Sequence, residues 1–267
     1  DGRARPSRGA AAGAVAVNGT YLVAEPLVDL CCSPAGPRDR QLRMGDSVHL
    51  LGHRDGWAEV RAARDGYTGY VPEGALGSGT VTHRVRARAT HVYPAPDFKT
   101  RERFSLGYGA RLSVLSQEGR FAETPHGFVP HAHLAPVEMR DSDPVAVAAL
   151  HLGTPYLWGG DSPFGIDCSG LVQVGCLACG LACPGDSGPQ MEHLGTALPE
   201  DAVPRRGDLV FWQGHVAWVA GPDTLLHANA YHMAVAYEAM AEAIARIEAQ
   251  GDGPVLARRR LPDATQA

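Results

Sequence analysis

From Leu171 to about Leu181 the chain carries no charge, beginning Leu171-Val172-Gln173-Val174-Gly175-Cys176-Leu177. Asp167-Cys168-Ser169-Gly170 stands directly before this run, and a polar residue in that place is a helix-start signal. The pattern predicts a largely buried helix with Cys168 in its first turn. Upstream, Gly159, Gly160, Asp161, Ser162, Pro163 and Gly165 make a turn-rich loop. Asp141-Ser142-Asp143-Pro144 caps an earlier helix, expected over Val145 to Leu152. Downstream the period changes. Arg206-Gly207-Asp208 reads as a turn into a buried strand, Leu209-Val210-Phe211-Trp212. Gly214-His215-Val216-Ala217-Trp218-Val219-Ala220 reads as its hairpin partner, and Leu225-Leu226-His227-Ala228-Asn229 as a further strand. Met240, Ala241, Ile244 and Ile247 predict a helix within Tyr237 to Gln250, and Pro254 to Leu261 a last strand. Helices around an antiparallel sheet make residues 141–267 an α+β domain.

The preceding stretch repeats itself. Gly69-Tyr70-Val71-Pro72, ending at Leu76, is echoed 58 residues on by Gly127-Phe128-Val129-Pro130, ending at Leu134. Gly56-Trp57-Ala58-Glu59-Val60 is echoed by Arg120-Phe121-Ala122-Glu123-Thr124, and Gly45 to Leu50 by Gly109 to Val114. Short strands with closely spaced turn signals predict two small all-β barrels, 18–78 and 79–140. They differ at one place. From Trp57 to Gly69 the first copy has six more residues than the second has from Phe121 to Gly127. The added length lies in Arg61 to Thr68 and puts Tyr67 near the tip of a longer hairpin.

Composition narrows the function. With 45% apolar and 20% charged residues, the 267-residue chain has enough material for several cores. A net charge of −5 provides no basic footprint for nucleic acid or anionic membrane. No apolar segment approaches the roughly 18 to 20 residues of a membrane span. Residues 1–17, rich in Ala, Gly and Arg, read as a flexible arm. The six cysteines do not form a secreted disulfide framework: Cys31 and Cys32 are adjacent, and four crowd into 168–183. That usage points to a reducing, cytoplasmic compartment, with a periplasmic or secreted location as the alternative. Cys176, Cys179 and Cys183 fall on one helical face and read as small core residues, with no metal.

Cys168 is the candidate nucleophile. Unpaired N–H groups at a helix start favour an anion, so this position is expected to lower the thiol pKa. Histidines on two later strands, His215 and His227, complete a nucleophile–base–orienter set. Tyr156, the Asp167-Cys168-Ser169-Gly170 tetrad, Arg206-Gly207-Asp208-Leu209, His215 and His227 together resemble the NlpC/P60 cysteine peptidases over about 143–261. The whole chain, including His227-Ala228-Asn229-Ala230-Tyr231-His232, resembles a narrower branch. These are the YkfC-like γ-D-glutamyl-L-diamino acid endopeptidases that carry bacterial SH3 domains.

The resemblance implies two SH3-like barrels followed by a papain-like α+β domain. It implies hydrolysis of the γ-D-Glu–diamino acid amide in free muropeptides with N-terminal L-Ala, without a cofactor. It assigns Cys168 as nucleophile, His215 as base, His227 as orienter and Tyr156 as a hydroxyl near the oxyanion. Asp167 would pair with the substrate's free α-amine, Asp46 would add a second carboxylate, and Tyr67 would reach the cleft. Trp158 would form an apolar wall, with Ser169 and the Asp186–Ser187 pair beside the substrate. A monomer acting on a peptide is the expected form. A lytic peptidase whose barrels bind intact peptidoglycan, or a papain-like acyltransferase, remains the alternative.

Overall fold

Trp57–Ala62 alternates inward and outward along its length, burying Ala58, Val60 and Ala62, the period-2 signature of a strand with one face on a core. It lies inside a seven-stranded antiparallel sheet built between Thr20 and Gly77. Val28, Leu30, Leu42, Val48, Leu50, Val60 and Val71 fill that core. The computed structural model describes residues 19–262; the expected arm, 1–17, lies outside the described residues.

Residues 83–136 form eight shorter strands in three small sheets around Val85, Val92, Leu106, Leu112, Ala122 and Val129. Met44 of the first unit joins this core. The internal echo has a structural counterpart. A 3-10 turn follows each Val-Pro pair, at Glu73–Ala75 and His131–His133. Gly45 and Gly109 both turn the chain at positive φ, 77° and 81°. The two turns pack together, with Arg111 N–H donating to the Met44 carbonyl at 2.8 Å.

The third unit opens with helix α1 (Pro144–Ala149), whose first N–H groups, on Val145 and Ala146, are capped by the Asp143 carboxylate. Helix α2 (Cys168–Ala178) follows, then the short α3 (Ser187–His193) and, near the end, α4 (Met240–Gln250). Six antiparallel strands run in the order Thr196–Ala197, Ala257–Arg260, Asp208–Trp212, His215–Gly221, Thr224–Asn229, Ala234–Ala239. Both faces of this sheet are covered. Leu209, Phe211, Val216, Trp218 and Leu226 pack in one core with α2, while Val210, Trp212, Ala217, Val219 and Leu225 pack with α4. Two covered faces explain why these strands read as continuous apolar runs.

Two expectations change. The helix expected from Tyr237 begins only at Met240, because Ala234–Ala239 pairs along the whole of Thr224–Asn229 and holds 237–239 extended. Cys176, Cys179 and Cys183 do not share a helical face. Cys179 caps α2 and Gly180 turns the chain at φ 78°, so Cys183 lies beyond the helix. All six cysteines are free, and the described residues hold no group of three or more metal-type side chains.

Candidate active site

Helix α2 starts where Asp167 stops being extended. One carboxylate oxygen of Asp167 accepts from Gly170 N–H at 2.6 Å and from the Ser169 hydroxyl at 3.1 Å. The other accepts from Gly159 N–H at 2.9 Å. This cap fixes the glycine loop against the helix and sets Cys168, 7% exposed, at the floor of a cleft of about 220 Å3. Tyr67, Tyr156, Trp158, Asp167, Ser169, Asp186 and Ser187 line the same cleft, so eight of the residues singled out in the sequence meet there. Trp158 forms its open rim at 70% exposure. Tyr156 is half-buried, and burial followed by nearby Cys168 and Asp167 raises its phenol pKa.

Asp46 does not belong to the cleft. It is buried at 2% exposure, accepts from Arg43 N–H at 2.9 Å and pairs with Arg64 at 3.2 Å. The carboxylate from the first barrel that does line the cleft is Asp39, bonded by the Tyr67 phenol. Beside it, Arg40 is 2% exposed, and its Nη1 reaches Ser169 Oγ and Asp186 Oδ1, each at 3.2 Å. Asp186 precedes α3 but does not cap it; its carboxylate turns to Arg40 instead.

The lengthened hairpin meets the third unit at three points. Arg64 donates to Asp161 at 2.6 Å, Asp65 accepts from Gln173 at 2.8 Å, and the Tyr67 ring lies against Gly185. Burial disfavours the Arg64 charge, but Asp161, Asp46 and Asp65 outweigh it and leave the guanidinium more firmly protonated than usual. Gln190, fully buried on α3, ties that helix to α2 by donating to the Ser169 and Pro184 carbonyls at 3.0 and 2.9 Å.

His215 begins its strand directly after Gly214, whose carbonyl lies 3.9 Å from Cys168 Sγ. Its Nε2 is 2.9 Å from His227 Nδ1, and His227 Nε2 is 3.0 Å from Glu238. Strand parity puts all three on the sheet face that α4 covers, since Val216, Leu226 and Val235 point the other way into the α2 core. Glu238 bonds across the diagonal: His227 is registered with Ala236, and Leu225 with Glu238. Sequence reading missed Glu238 because it fell inside the expected helix.

The expected low thiol pKa is not what the site produces. Burial, then the charge of Asp167, pushes Cys168 up to about 12, against the pull of N–H groups on Val216 and Ser169. Burial, then His227, pulls His215 down to about 3. Desolvation outweighs the helix start, and both shifts favour the uncharged forms of the thiol and the imidazole.

A buried cysteine at a helix start beside a histidine pair on a sheet is the architecture of a peptidase, and the comparisons agree. The NlpC/P60 family matches residues 153–249, and the "Bacterial dipeptidyl-peptidase Sh3 domain" matches 30–76. The γ-D-glutamyl-L-lysine dipeptidyl-peptidase of Bacillus cereus (strain ATCC 10987) is 26% identical over 73% of this chain and 68% of its own length. That of Bacillus subtilis (strain 168) is 28% identical over 72% and 68%. A crystal structure of an NlpC/P60 family protein from Bacillus cereus superposes with a TM-score of 0.73, covering 91% of this chain and all of that one. At 21% identity that likeness shows the fold. The chain is a peptidase. It carries an NlpC/P60 domain and a bacterial SH3 domain, and is homologous to the γ-D-glutamyl-L-lysine dipeptidyl-peptidases. No helix among the described residues is long and apolar enough to cross a membrane.

Proposed function

We propose that this peptidase hydrolyses the amide between γ-D-Glu and a diamino acid in free muropeptides that begin with L-Ala. Domains at 18–78, 79–140 and 141–267, the first two SH3-like barrels, complete the reading. The names of the two Bacillus relatives support the bond cleaved. The observation that carries the substrate choice is the cleft wall supplied by the first barrel: Asp39, Arg40 and Tyr67 stand with Cys168 around one small space. A glycan strand needs an open groove, whereas a peptide ending in a free amine suits a closed one. The amine falls to Asp39 beside the Tyr67 hydroxyl, with Asp167 behind, since both Asp167 oxygens already accept internal hydrogen bonds.

Cys168 is the nucleophile. As its sulfur adds to the scissile carbonyl, its proton passes to His215, and the oxyanion faces the Cys168 backbone N–H and the Tyr156 hydroxyl. His215 returns the proton to the departing diamino acid amine, leaving an L-Ala-γ-D-Glu thioester on Cys168. Water, deprotonated by His215, attacks the thioester and releases the dipeptide with the thiol restored. No cofactor enters this sequence.

The test is turnover of L-Ala-γ-D-Glu-meso-DAP and L-Ala-γ-D-Glu-L-Lys beside their N-acetylated forms and intact peptidoglycan, followed by mass spectrometry. Cleavage confined to the free tripeptides supports the reading. Equal cleavage of intact wall would replace it with the lytic one.

A further inference from the structure

We propose that Glu238, clamped by Arg246, is a positioning residue that fixes the tautomers of His227 and His215 and so makes His215 Nδ1 the basic atom. The inference rests on the nucleophile and base assigned above. It starts at the clamp. Arg246 Nε donates to one Glu238 oxygen at 2.9 Å and Nη2 to the other at 2.8 Å, while its plane lies 4.4 Å over the Tyr231 ring. A carboxylate gripped in this bidentate way stays ionised, and an ionised carboxylate only accepts. The hydrogen bond of 3.0 Å between Glu238 and His227 Nε2 therefore puts the His227 proton on Nε2.

The rest follows by counting protons. Burial holds His227 near pKa 4 and His215 near 3, so each ring carries one proton at neutral pH. With Nε2 protonated, His227 Nδ1 is a bare acceptor. The hydrogen bond of 2.9 Å then requires His215 to donate from Nε2. His215 Nδ1 is left with its lone pair, and it has no hydrogen-bond partner among the described residues. A histidine pair without Glu238 has no such instruction. It could hold the same bond with both protons moved, putting N–H on His215 Nδ1, where it can take nothing from a thiol.

The charged and titratable groups facing the two rings are few. Glu238 comes from the Ala234–Ala239 strand, Arg246 from α4, and His232 from the turn before that strand. Glu238 favours imidazolium and Arg246 opposes it, so the two make opposite predictions.

The experiment compares kcat/KM against pH, on free L-Ala-γ-D-Glu-L-Lys, for wild type, Glu238→Ala, Glu238→Gln and Arg246→Met, each checked for folding by thermal melting. Glu238→Ala should lower kcat roughly ten- to a hundredfold with KM nearly unchanged, the scale of losing an orienting partner. In Glu238→Gln the acid limb should move down by about one unit, because the charge that favours imidazolium is gone. In Arg246→Met it should move up. A 15N spectrum of His227 should show Nδ1 unprotonated in wild type. Wild-type kcat in Glu238→Ala, acid limbs unmoved in both charge variants, or a protonated Nδ1 overturns the inference. If Cys168→Ala cleaves at the wild-type rate, the catalytic assignment itself fails; if Cys168 is essential and the Glu238 variants are silent, only the positioning role fails.

Discussion

Gly185 passes so close beneath the Tyr67 ring that a Cβ built on it would meet the ring's Cδ2 at 3.0 Å. The barrel's hairpin and the peptidase loop are thus in van der Waals contact at the mouth of the cleft, one wall from each unit. Tyr67→Ala should remove that wall and leave Asp39 without its phenol partner. The free tripeptide should lose roughly ten- to a hundredfold in kcat/KM, the worth of a charge-assisted contact of about 1.5 to 3 kcal/mol. Its advantage over the N-acetylated peptide should narrow. Unchanged discrimination, measured by competition between the two peptides, would remove the barrel from substrate selection.

Cys168→Ala should abolish hydrolysis while leaving the melting curve intact, since the side chain is small and its removal costs several orders of magnitude in rate. His215→Ala should do the same. His227→Asn should retain part of the activity, because an amide oxygen still accepts from His215 Nε2. A silent His227→Asn paired with a fatal Asp208→Asn would reverse the third assignment. Asp208 instead receives two hydrogen bonds from Arg260, each 2.7 Å, and belongs to the frame of the sheet.

The raised Cys168 thiol makes a kinetic claim. Alkylation by iodoacetamide, mapped by peptide mass spectrometry to separate Cys168 from exposed Cys32, should be slow at pH 6 to 7 and accelerate only towards alkaline pH. Fast, pH-independent labelling near pH 6 that disappears in His215→Ala would reveal a preformed thiolate–imidazolium pair.

Three histidines with depressed pKa also tie stability to pH. His151 and His227 are lowered to about 4 and His215 to about 3, burial being the largest cause in each. The unfolded chain takes these protons near pH 6.5, where the folded one refuses them. Stability is therefore full above about 6.5 and falls as pH drops towards 4, by up to about 1.4 kcal/mol per unit per histidine. Urea unfolding at pH 7, 6 and 5 measures this, and His151→Asn should flatten the slope. A flat profile in wild type would show that the imidazoles are charged in place.

Arg64→Met should be among the most damaging substitutions outside the cleft. It strands Asp161 and Asp46, both buried, without their shared guanidinium. Breaking one side of a buried pair costs about 3 to 5 kcal/mol, readable in the urea midpoint. A shift within experimental error would mean that Arg43 alone carries the two carboxylates.

The cysteine helix and the histidine strands were legible because their signals are local: a cap, an apolar run, two faces each covered. Arg40 was not. Arg38–Arg43 contains three arginines and an aspartate and has the look of a solvated edge, yet its last four residues are buried, because another unit lies on it. Burial by a partner 129 residues away, as with Arg40 and Ser169, leaves no mark on the strand's own pattern. Asp46 failed for the complementary reason: a carboxylate near the cleft in an alignment says nothing about which arginines surround it. Glu238 was hidden by an alanine-rich segment whose helical spacing ran three residues too far upstream, and only pairing with Thr224–Asn229 decides its state.

The hairpin contacts also set an order of events during synthesis. Arg64 and Asp161 are 97 residues apart, Asp65 and Gln173 108, so the barrel leaves the ribosome well before its counterparts. N-terminal units generally fold first. The cysteine helix therefore emerges beside a wall already standing, and the cleft closes only when the last third of the chain docks. A nascent chain would carry the Cys168 thiol before the strands that bring His215 and His227 together have been made.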